Sequence, residues 1–323
     1  MQCNSNLKYM RTLAAPFPWF GGKSRVAELV WDRFGDVANY VEPFFGSGAV
    51  LLGRPHPPGI ETVNDRDCYL ANFWRALQCD PDEVAYYADW PVNEADQHAR
   101  HLWLQNQTDW AERMKTDPEY YDAKIAGWWV WGQSIWIGAG WCSESSRSRQ
   151  LPHLGDAGTG VHRKRPEQET PVRAYMRELA ERLRKVRICC GDWSRVCGPS
   201  PTFKNGLTGV FLDPPYSEES GRDNQLYAQE DTSVAHAVFA WAVANGDNPE
   251  LRIALCGYAG EHVMPSTWRE IPWKARGGYG SQGNGTGREN AGRERVWFSP
   301  ACLEPPTLFP LDDPAFLMHS AYE

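Results

Sequence analysis

The residues with the most direct chemical meaning are Asp213, Pro214, Pro215 and Tyr216, which follow an apolar run at 210–212. Such a run predicts a buried strand, and in an open α/β sheet an acid directly after a strand faces the ligand cleft. The carboxylate of Asp213 and the carbonyl of Pro214 could accept both N–H groups of an exocyclic amine, while Tyr216 stacks on the planar base. The alternative interpretation is a structural Asp-Pro turn that ends a core strand.

A second pattern is typical of a nucleoside-binding turn. The predicted strand at 39–44 runs into Gly46 and Gly48, and glycines at a strand-to-helix turn let a backbone approach a ligand closely. Asp65 ends the next predicted strand, 19 residues after Gly46, where an acid commonly binds a ribose diol. Together these residues predict a nucleoside cofactor, although the turn alone is a weak signal.

A third pattern, PWFGGK at 18–23, places a glycine pair before Lys23 and after two aromatic residues. On its own it indicates only that the chain turns and presents a lysine beside an aromatic side chain. The alternative is the start of a helix.

The elements that would position these residues form a doubly wound, Rossmann-like α/β sheet. Helical spacing is found at 21–34, 49–52, 69–77 and 232–245, and strands are predicted at 39–44, 59–65, 186–193, 208–216, 251–258 and 293–299. The segment 293–299 follows a stretch rich in glycine, asparagine and arginine, and we expect it to be an edge strand.

The region between the two halves of this sheet has a different composition. Residues 80–168 combine helical stretches, five tryptophans within 128–141, and a polar loop at 143–166. We expect a catalytic domain at 12–79 and 169–302, an inserted, mainly helical subdomain at 80–168, and a C-terminal tail at 303–323. The tryptophans are expected to form the core of the subdomain rather than a platform for stacking bases.

The distribution of charge favours a nucleic-acid partner more than the net charge does. The whole chain carries −8, but residues 141–187 contain eleven basic and six acidic side chains, a net charge of +5. A basic zone on an acidic body is a plausible footprint for phosphates, with a solvated helix face as the alternative for 171–187. The loop residues predicted to contact DNA are Arg147, Arg149, Arg163, Lys164 and Arg165.

Other features argue against several classes of protein. No run of 18 apolar residues is present, and the N-terminus lacks the apolar core of a signal peptide, so we expect a cytoplasmic protein with no membrane partner. The nine cysteines include no CxxC pair, which favours buried, reduced thiols. His98 and His101 have no evident third ligand, and no metal site is predicted.

Taken in order, FGGK, EPFFGSG, ND and DPPY resemble the motifs of the Dam-like DNA adenine N6-methyltransferases, D12 class, alpha group. The resemblance extends over most of 16–300. It implies an S-adenosyl-L-methionine cofactor, double-stranded DNA as the partner, and a target adenine flipped out of the duplex into the cleft.

The resemblance also implies a role for each matching residue. Asp213, Pro214, Pro215 and Tyr216 would be catalytic. Asp65 would bind the ribose, Asp192 the adenine of the cofactor, and Lys23 would border its methionine moiety. The cofactor-binding residues implied in this way are Trp19, Phe20, Gly21, Gly22, Lys23, Glu42, Phe44, Gly46, Gly48, Asp65, Asp192, Trp193 and Asp213.

Residues 80–168 match no known base-contacting residues, so the sequence does not predict a recognition site. Two alternatives stay open at this stage. One is an N4-cytosine DNA methyltransferase, because both amines need the same acceptors. The other is a non-catalytic DNA-binding regulator that retains the fold, although the intact Asp213 and Asp65 argue against it.

Overall fold

In the computed structural model, the residues described are 12–19, 23–136, 141–142, 151–154, 159–163, 171–215, 232–273 and 292–304. They contain the strands β1 (Asn39–Glu42), β2 (Ile60–Asp65), β3 (Arg187–Cys190), β4 (Thr208–Leu212), β5 (Leu251–Tyr258), β6 (Arg269–Pro272) and β7 (Glu294–Phe298). They also contain the helices α1 (Val26–Phe34), α2 (Ala49–Leu52), α3 (Cys68–Cys79), α4 (Pro81–Ala88), α5 (Glu94–Gln105), α6 (Trp110–Thr116), α7 (Ala123–Gln133), α8 (Val172–Leu183) and α9 (Thr232–Asn245).

All seven of these strands form one sheet in the order β3-β2-β1-β4-β5-β7-β6. Strands β1 to β5 are parallel, whereas β7 runs antiparallel to β5. The chain moves outward from β1 through β2 to β3 and then returns to β4 on the other side of β1. This reversal is the point at which open α/β sheets bind their ligands, and the doubly wound prediction is confirmed.

Alternate side chains of each central strand enter different cores, because neighbouring residues of a strand point to opposite faces. In β4, Val210 and Leu212 join a cluster that includes Val238 and Ala242 of α9. Phe211 between them joins the larger cluster with α1 to α4, α7 and α8. The sheet is therefore covered by helices on both faces, as a parallel sheet requires.

The prediction that 293–299 forms an edge strand is wrong. Strand β7 pairs with β5 on one side and with β6 on the other, so β6 lies at the edge. Strand β6 carries little strand signal, because its four residues are mostly exposed and end in a proline. A short edge strand with a proline is a common way to blunt the end of a sheet.

The helices of the predicted insertion pack directly on the sheet domain. Helix α4 contacts α3 and α8, and α7 contacts α3. Trp129 of α7 packs against Phe17 and Phe73, with ring centroids 5.0 Å and 5.9 Å apart. One core cluster therefore spans the insertion and the sheet domain. Trp129 and Trp131 of α7 are buried, in line with the predicted core role.

The eight cysteines of the described residues are free thiols, as predicted. The predicted burial holds for Cys197 and Cys256, whereas Cys79 is exposed. Within the described ranges, no helix has both the length and the apolar character needed to cross a membrane.

Candidate active site

Four acidic side chains meet at one edge of the sheet because of where their strands end or begin. Glu42 and Asp65 are the last residues of β1 and β2, and Asp213 follows β4 directly. Glu294 is the first residue of the antiparallel β7 and pairs with Tyr258, the last residue of β5. An antiparallel strand starts where its parallel neighbours end, so all four residues lie at the carboxyl edge of the parallel strands.

The glycine turn after β1 has a backbone that suits only glycine. Gly46 and Gly48 have φ angles of +48° and +69°, a region that residues with a Cβ rarely adopt. A Cβ on Gly46 would lie 2.5 Å from Cδ1 of Trp19, so the turn packs closely beneath that ring. The carbonyl of Gly46 accepts a 3.1 Å hydrogen bond from the indole of Trp74, which fixes the turn on α3.

Asp65 ties this turn to the end of β2. Its Oδ2 accepts a 3.0 Å bond from the Gly46 N–H, and its Oδ1 accepts a 3.0 Å bond from the Asp67 N–H. An ionised carboxylate has about four acceptor positions, so both oxygens keep the capacity to accept hydroxyl groups. Burial and the nearby charge of Asp67 raise the pKa of Asp65 to about 6, although the backbone hydrogen bonds partly oppose the shift.

Glu42 adds a second, more deeply buried acid. Its side chain accepts a 2.8 Å hydrogen bond from the hydroxyl of Tyr40, and the residue is 2% exposed. Burial raises the pKa of Glu42 well above its usual range, and the negative charges of Asp213 and Asp65 add to the rise. A positively charged ligand beside Glu42 would relieve this excess of negative charge.

Lys23 is the basic group of this edge that the sequence singled out. Its Nζ lies 3.0 Å from Oδ1 of Asp213 and 3.9 Å from Oε2 of Glu294. The Trp273 ring centroid is 5.0 Å from the same nitrogen. The sequence predicted Lys23 and Asp213 separately, whereas the fold brings them into an ion pair. Glu294 and Trp273 were missed, because neither belongs to a motif and only the pairing of β7 brings them here.

Three predicted residues lie where β1 and β3 end. Phe44 and Trp193 stack with ring centroids 6.2 Å apart and an angle of 29°. The exposed Asp192 accepts a 2.9 Å bond from the Ser194 N–H through Oδ1, and hydrogen bonds from the Ser194 side chain and backbone lower the pKa of Asp192. The Gly191 N–H donates to the Asp65 carbonyl at 3.0 Å. The segment that carries Asp192 and Trp193 is therefore bonded to the end of β2, where Asp65 lies.

Some predicted residues lie outside the described part of the chain: Phe20, Gly21, Gly22, Arg147, Arg149, Lys164, Arg165 and Tyr216. Pro214 and Pro215 are described, and Pro214 is buried after β4. Arg163 is exposed at the end of a short 3-10 helix.

Several arginines of the basic zone are engaged within the chain itself. Arg182 of α8 forms a two-pronged pair with buried Glu61, at 2.6 Å and 2.9 Å. Arg177 binds exposed Asp82 through two 2.7 Å hydrogen bonds. Arg177 is exposed, as the solvated-face alternative for 171–187 expects, whereas Arg182 is largely buried and serves the fold.

Comparison with known proteins relates the N-terminal part of the chain to one family. Residues 19–126 match the family model described as D12 class N6 adenine-specific DNA methyltransferase. The matched range includes Lys23, the glycine turn and Asp65, whereas Asp213 lies beyond it. A search of curated proteins gives no significant match. The family names the N6 amine of adenine in DNA as the target, in agreement with the sequence prediction and not with the N4-cytosine alternative. The match covers about a third of the chain and supports adenine-specific DNA methylation as its activity.

Proposed function

We propose that this enzyme binds S-adenosyl-L-methionine at the carboxyl edge of β1 to β4 and transfers its methyl group to adenine N6 in duplex DNA. The observation that carries the proposal is the convergence of Asp65, Glu42 and Asp213 on one edge, with Lys23 paired to Asp213. Mass spectrometry of nucleosides from duplex DNA treated with enzyme and cofactor tests it. N6-methyladenine is the expected product, and N4-methylcytosine or no product would contradict it.

The residues present fit this cofactor. Both oxygens of Asp65 are oriented by backbone N–H groups and can accept the two ribose hydroxyls. Asp192 can accept from the exocyclic amine of the cofactor adenine, beside the rings of Phe44 and Trp193. The absence of a Cβ at Gly46 lets Trp19 pack directly on the turn, which keeps this aromatic ring beside the proposed cofactor site.

Charge supports the same assignment. Four acidic side chains lie at this edge, namely Glu42, Asp65, Asp213 and Glu294, and Lys23 pairs with the last two. S-adenosylmethionine carries a positively charged sulfonium, which supplies the electrophilic methyl group. An edge with excess negative charge favours such a ligand over its neutral thioether product, because opposite charges attract more strongly where water is excluded.

Asp213 and Pro214 hold the target nitrogen. The Asp213 carboxylate accepts a hydrogen bond from one N–H of the adenine N6 amine, and the Pro214 carbonyl accepts a hydrogen bond from the other. These two bonds direct the nitrogen lone pair at the incoming methyl group. The amine gains positive charge as the new N–C bond forms and the methyl–sulfur bond breaks with its electron pair left on sulfur, and the carboxylate stabilises the charge on the amine. The surplus proton on N6 then passes to solvent. Tyr216 is proposed to stack on the flipped adenine.

Cofactor affinity should fall as the pH drops through about 6. Because Asp65 has its pKa raised to about 6, it is ionised at pH 8 and increasingly protonated below pH 6. A protonated carboxyl accepts ribose hydroxyls less well, so binding weakens in the acidic direction. Calorimetric titration with S-adenosylmethionine between pH 5 and pH 8 measures this change.

The Asp65→Asn variant is the control. It should bind the cofactor at least about tenfold more weakly at pH 8, because hydrogen bonds to a charged group contribute about 1.5–3 kcal/mol. Its remaining affinity should change little across the same pH range. A full acidic decline in the variant would assign the pH dependence to another group, with Glu42 as the first candidate.

DNA is proposed to bind across the insertion. In this assignment 12–79 and 169–302 carry cofactor and catalysis, and 80–168 recognises the target, with Arg147, Arg149, Arg163, Lys164 and Arg165 as its basic contacts. The exposed position of Arg163 supports this, since phosphate contacts need accessible cations. The target adenine has to leave the duplex to reach Asp213, because inside the duplex its N6 amine donates to the paired thymine and the base is held in the stack.

Replacing Arg163 by glutamine should weaken DNA binding and its dependence on salt. Each lost phosphate contact reduces the slope of log affinity against log salt by about 1. Fluorescence anisotropy with a labelled duplex at several salt concentrations provides the slope. Arg177→Gln is the matched control, because Arg177 is held by Asp82. Equal slopes for Arg163→Gln and the unaltered enzyme would exclude Arg163 from the DNA interface.

A further inference from the structure

Glu294 lies at the carboxyl edge of the parallel strands, beside Lys23, but it belongs to none of the sequence motifs. We propose that it is a positioning residue, which holds the Lys23 ammonium against Asp213 and leaves the three-residue group with a net negative charge. This inference rests on the proposed function, because Asp213 is there the acceptor of the target amine.

The group is built from three separate segments and is largely shielded from water. The side chains of Lys23 and Glu294 are 9% and 6% exposed, and that of Asp213 is 18% exposed. Lys23 lies 3.0 Å from Asp213 and 3.9 Å from Glu294, so one ammonium contacts two carboxylates. Lysine has a long, flexible side chain, and two partners on different strands restrict its position more than one would.

The backbone holds Glu294 firmly in place. Its Cα pairs with Tyr258 in the β5–β7 ladder, and its carbonyl accepts a 3.2 Å bond from the Trp273 N–H. That bond also places the Trp273 ring over the Lys23 ammonium, at 5.0 Å. A cation over an aromatic face is attracted to it, so β7 and the residue after β6 together form one wall around Lys23.

The charge of Glu294 has a consequence for the reaction. If Lys23 and Asp213 were alone, the ammonium would cancel the carboxylate that faces the target amine. With Glu294 the group carries one net negative charge. Such a charge favours the positive charge that develops on N6 in the transition state, because it is fixed in advance in a site that excludes water.

The protonation of Lys23 agrees with this arrangement. Burial by itself would lower the pKa of Lys23, but the carboxylates of Asp213 and Glu294 outweigh it and raise the pKa above its usual value. Cys256 of β5 also faces the ammonium, and its own pKa is raised, chiefly by burial. Removing the charge of Glu294 should therefore lower the pKa of Lys23.

The test compares Glu294→Gln with Glu270→Gln in the full-length protein. The first change removes the charge and keeps the shape of the side chain. The second makes the same change on neighbouring β6, where Glu270 pairs with Arg295 at 3.0 Å. Three quantities are measured: single-turnover methyl transfer to duplex DNA, affinity for S-adenosylhomocysteine, and the NMR titration of the Lys23 Cε resonance, assigned by its loss in Lys23→Arg.

Glu294→Gln should slow single-turnover transfer about 10- to 100-fold, the size expected when a reacting group is misplaced by about 1 Å. Its affinity for S-adenosylhomocysteine should stay within about threefold of the original, since an ion pair that orients Asp213 acts on the transfer step. The Lys23 resonance should titrate at lower pH than in the unaltered protein. Glu294→Asp, which restores the charge, should recover part of the rate, and Glu270→Gln should behave like the unaltered enzyme.

Two results would overturn the inference. One is an unchanged Lys23 titration in Glu294→Gln, which would show that Glu294 does not act on the ammonium. The other is an equal loss of transfer rate and cofactor affinity, which would make Glu294 a cofactor-binding residue. If the unaltered protein methylates no DNA but the Lys23 titration shifts in Glu294→Gln, the proposed function is wrong. The interaction of Glu294 with Lys23 is then still supported.

Discussion

Asp213→Asn should lower single-turnover methyl transfer about 10³-fold, the upper range for removing one group that stabilises developing charge. The amide keeps the shape of the carboxylate, but it has one acceptor oxygen and turns two donors toward a site built to accept N–H groups. The rate is measured with labelled methyl and duplex DNA, and the product nucleoside is identified as N6-methyladenine.

The choice of asparagine follows from the ion pair with Lys23. Asp213→Ala should also abolish transfer, but it would remove every polar atom from the 3.0 Å contact with the buried Lys23 ammonium and so disturb the fold around it. Affinity for the uncharged product S-adenosylhomocysteine should change little in Asp213→Asn, and the unfolding midpoint measures how much stability is lost when the partner of the buried ammonium becomes neutral. Appreciable transfer by either variant would contradict the proposed role of Asp213.

Glu61→Gln should destabilise the protein by about 3–5 kcal/mol, because breaking a buried ion pair leaves an uncompensated buried charge. The Glu61 side chain is 2% exposed and contacts two arginines: Arg54 at 3.2 Å and Arg182 at 2.6 Å. These pairs join β2 to the loop after α2 and to α8, so their loss removes a connection across three segments. Urea unfolding followed by tryptophan fluorescence gives the free energy.

The matched control is Asp82→Asn, which removes the exposed partner of Arg177 on the same helix as Arg182. Exposed ion pairs contribute little, because water screens both charges and the side chains lose freedom when they pair. This variant should unfold almost as the unaltered protein does. Similar losses of stability in the two variants would show that burial is not what makes the Glu61 network important.

The sheet and its ligand edge were largely predictable from local patterns. Apolar runs such as 210–212 are long enough to predict strands, and glycines or acids mark their ends. Asp65 and the glycine turn were predicted from their spacing, and the structure joins them by the hydrogen bond from the Gly46 N–H to Oδ2 of Asp65. The weak pattern of β6 was missed, and with it the interior position of β7.

By itself the sequence determined the strand-end acids, the glycine turn and the motif order that indicates the family, because each depends on residues close together along the chain. Only the tertiary structure decided that Lys23 pairs with Asp213, that Glu294 joins them, and that α8 uses Arg182 to hold Glu61. These contacts join segments more than 100 residues apart, and they depend on strand order and register. Neither can be read from local spacing, because a one-residue shift in pairing would turn every side chain of a strand to the other face.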